Sequence, residues 1–238
     1  MNKLEFEFSN QLNIKIGEII TKFISQITGK ISLNDIKIIG IDNIPNDGNF
    51  LLISNHPSYI DGKVLDDIFQ SIGINIPFIC HGNLLKIPFV GKYLKSLGYH
   101  GVYNFRRKEY YEQKGINIKK AEEKVFKRIK DAKVNISSIK KSIINILNGG
   151  NLGIFITGGG YKDKPSTIRN GYKLIIKKII QKDKDIIILP VRISFIGGYK
   201  SKGLVLRSNV VIEFLKPLTV NGDNQEESYK KIKNLYIK

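Results

Sequence analysis

The sequence predicts an α/β fold: a single domain with a central mixed, mostly parallel sheet flanked by helices, preceded by an N-terminal amphipathic helix. Three observations carry this. Short apolar runs with strand character alternate along the chain with segments whose apolar residues recur every three to four positions. The 238 residues, 42% hydrophobic and 25% charged, supply enough chain for one sizeable core and argue against disorder, a collagen-like repeat or a disulfide scaffold. No internal repeat or low-complexity linker divides the chain, so residues 1–30 read as the helical extension and 31–238 as the main domain.

Each element follows from its own pattern. Over 12–28, Leu12, Ile16, Ile19, Ile20, Phe23, Ile24 and Ile27 form one apolar stripe on a helix that Gly29 ends. Its polar side carries Glu18 beside Lys22, so packing on the body of the protein and lying in a membrane interface both fit it. From Ile36 to Ile41 the pattern becomes that of a strand, followed by a turn at Pro45-Asn46-Asp47-Gly48 and the apolar run Phe50-Leu51-Leu52-Ile53 of a buried strand. Residues 61–72 read as a helix, 77–80 as a short strand and 84–97 as a helix interrupted by Pro88 and Gly91.

Residues 106–133 differ, with 11 Lys or Arg, five Asp or Glu, and only a narrow apolar stripe of Ile118, Ala121, Val125, Ile129 and Ala132. They predict a charged, protruding helical insertion. Beyond it come a helix over 137–147, a strand over 152–157, a helix over 173–180 and strands over 186–193 and 205–215. The polar tail from Asn221 reads as a helix.

Thirty-nine Lys and Arg against 21 Asp and Glu give a net charge of +18, which favours an anionic partner: nucleic acid, a phospholipid surface or a phosphorylated substrate. Lys supplies 33 of the positive charges and Arg six, a bias that solvated lysine faces also explain. No zinc-finger spacing or stacking-aromatic signature supports nucleic acid, so none is expected as a partner. No stretch reaches the roughly 18 consecutive apolar residues that span a bilayer, and the N-terminus lacks a basic start followed by an apolar signal core. The single cysteine, Cys80, cannot form an internal disulfide. A cytoplasmic protein touching the membrane from one side is the expectation.

Only His56, His81 and His100 could act as a general base near neutral pH. His56 is best placed, because it follows a buried strand, and Pro57 beside it suits the first turn of a helix. Asp61, five residues on, could orient the imidazole if the strand-to-helix corner folds one toward the other. A base with an orienting carboxylate and no protein nucleophile suits deprotonation of a hydroxyl arriving on a substrate. By spacing alone the signal is weak, since a His near an Asp is more often structural than catalytic.

The run Ser54-Asn55-His56-Pro57-Ser58-Tyr59-Ile60-Asp61 resembles the first motif, N-H-x-x-x-x-D, of the glycerophospholipid acyltransferases, the family of 1-acylglycerol-3-phosphate acyltransferase. Upstream, Ile38-Ile39-Gly40-Ile41-Asp42-Asn43-Ile44-Pro45 resembles the family's preceding strand and turn. Downstream, His81-Gly82-Asn83-Leu84-Leu85-Lys86-Ile87-Pro88-Phe89-Val90-Gly91 resembles its helix after the second strand. Gly101-Val102-Tyr103-Asn104-Phe105-Arg106-Arg107 is similar to the second motif and Leu189-Pro190-Val191-Arg192-Ile193 to the fourth. The resemblance covers about residues 36 to 195 in the family's order. It implies a glycerolphosphate acyltransferase-like fold and direct acyl transfer to a lipid hydroxyl in phospholipid biosynthesis. The co-substrate is an acyl-CoA or acyl carrier protein thioester, with no metal and no other cofactor. His56 is then the base and Asp61 its holder, with Asn55 in the substrate site and Arg106 or Arg107 on the acceptor phosphate. Implied partners are the cytoplasmic membrane surface, the lipid acceptor and acyl carrier protein; the 106–133 insertion could be a lid, a membrane contact or a docking surface for the acidic carrier protein. His81, His100 and Cys80 match no catalytic position and read as structural.

The third motif departs from the family's F-P-E-G-T-R. Here it reads Phe155-Ile156-Thr157-Gly158-Gly159-Gly160-Tyr161, without the Glu and Arg. Gly158, Gly159 and Gly160 could present backbone N–H groups to an anion, and Lys162, Lys164 and Arg169 could restore positive charge; a turn needing positive φ accounts for the glycines equally well. The departure leaves two rivals to a lysophospholipid acyltransferase: an acyltransferase for another lipid acceptor, such as an amino-lipid or saccharide lipid, and a non-catalytic lipid-binding homologue.

Overall fold

The structure, a computed structural model, describes residues 33–46, 49–58, 61–103, 118–157, 168, 171–182, 184–197, 199–201, 204–206 and 208–236. The N-terminal stripe over 12–28 therefore lies outside the described residues.

Phe50-Leu51-Leu52-Ile53-Ser54 forms strand β2 (Phe50–Ser54), buried at every position. Such continuous burial identifies a strand covered on both faces. Successive side chains point to opposite faces. Leu51 and Ile53 join one apolar cluster, and Phe50 and Leu52 the other. β2 is paired in parallel with β5 (Leu152–Phe155) on one side and β6 (Ile186–Ile196) on the other. β9 (Ser208–Phe214) continues the sheet antiparallel to β6, and β1 (Leu33–Ile39) closes that edge parallel to β9, giving the order β1-β9-β6-β2-β5. The sheet is thus mixed and mostly parallel, as the sequence predicts.

Two short pairs stand beside this sheet: β3 (Ile79–His81) parallel to β4 (His100–Val102), and β7 (Tyr199–Ser201) antiparallel to β8 (Leu204–Leu206). A parallel bridge from Phe78 to Gly153 ties β3 to the free edge of β5. Gly153 is required there, because a Cβ would lie 2.3 Å from the Phe78 ring.

Helix α1 (Asp61–Ser71) covers one face through Leu65, Ile68 and Phe69. It stops at Gly73, whose φ of 74° suits a residue without Cβ while Ile74 N–H reaches back to Phe69 O at 2.9 Å. The interruption foreseen at Pro88 and Gly91 divides 84–97 into a 3₁₀ turn, Leu84–Lys86, and helix α2 (Val90–Ser96). Helix α3 (Ile118–Leu147) corrects the sequence expectation of two separate segments. No Gly or Pro interrupts those 30 residues, so the change from charged to apolar composition marks no break in the backbone. The opposite face of the sheet is covered by α4 (Gly171–Ile180) and α5 (Gln225–Tyr236), through Tyr172, Ile175, Ile176, Ile179, Tyr229, Ile232 and Tyr236.

The expected strand over 205–215 divides into β8 and β9, and a further strand, β10 (Leu218–Val220), pairs antiparallel with the start of β6. Pro190 sits in central β6 at the break between its β10-paired and β9-paired portions, where Leu215 N–H donates to Pro190 O at 2.9 Å. Proline lacks an N–H, and here no ladder partner demands one.

Candidate active site

β2, β5 and β6 end on the same edge, the edge at which open α/β sheets gather ligands. After Ser54 the chain leaves β2, and its exit is fastened on both sides. The Asn55 side-chain amide donates to Ile193 O and accepts from Ile193 N–H, both at 2.7 Å, mimicking one further residue of the ladder with β6. On the other side, His56 N–H donates to Thr157 Oγ1 at 2.9 Å, and Ile156 N–H donates to Ser54 O at 2.9 Å. The strands on either side of β2 thereby fix the direction in which His56 departs.

The corner then brings His56 Nδ1 to 2.9 Å from Asp61 Oδ2. Five residues separate them, which one regular helix would not align; the turn at Ser58 does, with Asp61 standing first in α1. The same Oδ2 accepts the Ser58 N–H at 2.8 Å. The carboxylate that opens α1 thus reaches back to a backbone N–H three residues upstream, much as the acidic member of a capping box does. One carboxylate oxygen both starts the helix and holds the imidazole. With Oδ2 accepting, Nδ1 carries the proton and Nε2 keeps the lone pair.

Burial differs sharply across the pair. The Asp61 side chain is fully buried, whereas the His56 side chain keeps 21% of its exposure. Burial pushes the Asp61 carboxyl above its ordinary range, opposed by the hydrogen bond and charge of His56 and by the Ser58 N–H. Asp61 Oδ1 is also buried and has no hydrogen-bond partner among the described residues. The imidazole lies on Phe155, ring centroids 4.3 Å apart and planes 21° from parallel, and Phe155 in turn stacks on Phe78 at 5.2 Å. Phe155 is a contact the sequence reading passed over, because an apolar residue in a strand carries no signal beyond core.

The pair has the geometry of an imidazole oriented by a carboxylate, and among the described residues no group of side chains could hold a metal ion. A model of the Acyltransferase family matches residues 35–194. The chain belongs to the acyltransferase family. The match takes in most of β1, all of β2 and β5, most of β6, and the whole His56–Asp61 corner. Among solved structures, the acyltransferase chain is similar to the 1-acyl-sn-glycerophosphate (LPA) acyltransferase PlsC from Thermotoga maritima. The TM-score is 0.58 at 19% identity, covering 99% of this chain and 80% of that one, a likeness of fold. Among curated proteins no significant sequence match was found.

The structure brings together Asn55, His56 and Asp61. Arg106, Arg107, Gly158, Gly159, Gly160, Lys162 and Arg169 lie outside the described residues. His81 is exposed, accepting the Asn83 N–H at 3.3 Å and meeting the Tyr103 ring edge-on. His100 is half-buried, and burial together with Lys141 lowers its pKa. Burial pushes the Cys80 thiol up to about 11, which leaves it unreactive near neutral pH. Arg192, in the run resembling the fourth motif, bonds Glu213 at 2.9 Å and Leu235 O at 3.3 Å, tying β6 to β9 and α5. Among the described residues no helix is long and apolar enough to cross a membrane.

Proposed function

We propose that this acyltransferase moves a fatty acyl group from a thioester, on coenzyme A or acyl carrier protein, to a hydroxyl of a lysophospholipid resembling 1-acylglycerol-3-phosphate. The observation that carries the reading is His56 held by Asp61 through Nδ1, with Nε2 left as the base on a partly exposed ring. Nε2 takes the acceptor hydroxyl proton as its oxygen attacks the thioester carbonyl. The C–O bond forms, the C–S bond breaks, and the leaving thiolate recovers the proton from the imidazolium. No acyl-enzyme is needed.

Gly158, Gly159 and Gly160 follow directly on Thr157, whose hydroxyl accepts the His56 N–H. That adjacency supports a role for their backbone N–H groups at the carbonyl oxygen as it gains charge. Arg106 or Arg107 binds the acceptor phosphate, which a guanidinium fork suits, and Lys162 and Arg169 add positive charge where the family's Glu and Arg are absent. The same absence favours one second reading, an acceptor whose head group differs from glycerol phosphate. The enzyme works at the cytoplasmic face of the membrane that holds its acceptor, with the 12–28 stripe as one contact.

The test is thiol release from palmitoyl-coenzyme A by the purified chain, with and without lysophosphatidate, beside His56→Ala. Acceptor-dependent release that drops about 10²–10⁴-fold in the folded variant supports the base. Full activity in the folded variant refutes it. Release with another lyso-lipid but none with lysophosphatidate selects the second reading.

A further inference from the structure

The turn between β3 and α2 spends conformational energy to keep apolar side chains in water. Phe89 has φ 62° and ψ −57°, and Val90 N–H closes the turn on Pro88 O at 2.7 Å. This is the rare γ-turn with positive φ, strained for a residue with a Cβ. Three contacts impose it. Gly91 N–H donates to Ile87 O at 2.8 Å, Tyr93 N–H donates to Phe89 O at 2.9 Å, and Gly91 packs so closely that a Cβ would lie 2.3 Å from Leu85 O. Glycine would satisfy such a backbone at lower cost. Instead Phe89 stands there, 53% exposed, beside Ile87 at 46% and Leu84 at 38%.

The charge around these side chains has one sign. Lys86, Lys92 and Lys95 are exposed along the same stretch, and no Asp or Glu occurs between Asp67 and Glu109. The topology also sets the position. β3 runs parallel to β5 through the Phe78–Gly153 bridge, and β5 parallel to β2. β3 thus lies two strand spacings, about 10 Å, from β2, and the turn after it opens on the same edge of the sheet as the His56 corner.

We infer that the 84–89 turn inserts into an anionic phospholipid surface, with Leu84, Ile87 and Phe89 entering the headgroup–acyl boundary and Lys86, Lys92 and Lys95 meeting lipid phosphates. The inference rests on the lipid-acceptor reading above and adds where the membrane touches: next to the dyad, so that an acceptor reaches His56 without leaving the lipid surface.

The chain contains no tryptophan, so Phe89→Trp creates a single emitter in the full-length protein. Ile72→Trp serves as control, since Ile72 is 42% exposed just after α1, on the opposite edge of the sheet. The probe is vesicles of equal parts phosphatidylcholine and phosphatidylglycerol. The expected result is a blue shift and quenching by brominated acyl chains for Phe89→Trp and neither for Ile72→Trp. Phe89→Gly separates insertion from folding: it relieves the strained φ, so its thermal midpoint holds or rises while vesicle affinity falls about tenfold or more. An unmoved Phe89→Trp emission, or native vesicle affinity in Phe89→Gly, overturns the inference. Thiol release by the wild-type chain is scored separately. Release with an unmoved Phe89→Trp sinks the turn's role alone, and absent release with a shifted Phe89→Trp sinks acyl transfer from palmitoyl-coenzyme A to lysophosphatidate and leaves the turn's role standing.

Discussion

Replacing Asp61 by Asn removes the negative charge from the dyad and leaves its hydrogen bonds in place. Both bonds to the carboxylate end on Oδ2, from His56 Nδ1 and Ser58 N–H, while Oδ1 has no partner among the described residues. An asparagine with its oxygen at the Oδ2 position accepts both bonds, keeps the proton on Nδ1, and puts its NH₂ in the Oδ1 slot. What is lost is the attraction between carboxylate and the imidazolium formed as the proton arrives. At about 4 Å and an effective dielectric of about 20 that attraction is about 4 kcal/mol, a factor of about 10³ in kcat. Stability moves little. The buried carboxylate has a raised pKa, so the stability it gives is present at low pH and is lost as pH rises through its folded value. The variant lacks that loss, and this offsets the NH₂ it buries without a partner, which costs about 1–3 kcal/mol. The assay is acceptor-dependent thiol release beside urea unfolding at neutral pH, with Asp61→Ala as the contrast that also orphans the Ser58 N–H. An Asn variant with kcat within about threefold of wild type refutes the ion-pair account, because the charge is then doing nothing on this energy scale.

Two further perturbations test the frame. Asp66, buried in α1 and bonded to Gln70 at 2.9 Å, has its carboxyl pushed up to about 6 by burial, with Lys63 opposing and Asp67 adding. Its folded value lies above the unfolded one, so stability falls on the order of 3 kcal/mol as pH rises from about 4 to above about 6. Denaturant unfolding across that range will show the decline in wild type and a flatter profile in Asp66→Asn. Tyr236→Phe removes the hydroxyl that lies 2.5 Å from Ile53 O and accepts Val191 N–H at 3.0 Å, bridging α5 to β2 and β6. It should cost about 1–3 kcal/mol in urea unfolding, the penalty for buried backbone groups left short of a partner.

How much of this was legible depends on whether the signal is local. Phe50-Leu51-Leu52-Ile53 could be read as a buried strand because four consecutive apolar residues between turn signals fit little else of that length. His56 and Asp61 stood out by motif and position, and the structure brings them together at 2.9 Å. The bond from Ser58 N–H to the same Asp61 oxygen carries no separate signal, because the motif already explains the aspartate by its histidine. Nothing local marks Asn55 as the partner of Ile193, 138 residues away, or Phe155 as the platform for the imidazole. β10 escaped because three residues, Leu218–Val220, are too few to show a period. The division expected between 106–133 and 137–147 failed for the opposite reason. The change in composition there is real, but no residue breaks the helix, so the backbone runs on.

The placement of Asp61 also explains why the dyad sits at a helix start and not within a strand. A fully buried carboxylate is costly in its charged form, and the first turn of α1 offsets part of that cost through the Ser58 N–H and the positive end of the helix. The offset is incomplete, as the raised pKa of Asp61 records. In the proposed reaction the imidazole, once it has taken a proton, brings a full positive charge beside this carboxylate. On that proposal the carboxylate is stabilised more after proton transfer than before it, and an interaction that strengthens along the reaction path lowers the barrier where equally tight binding of ground and transition states would not.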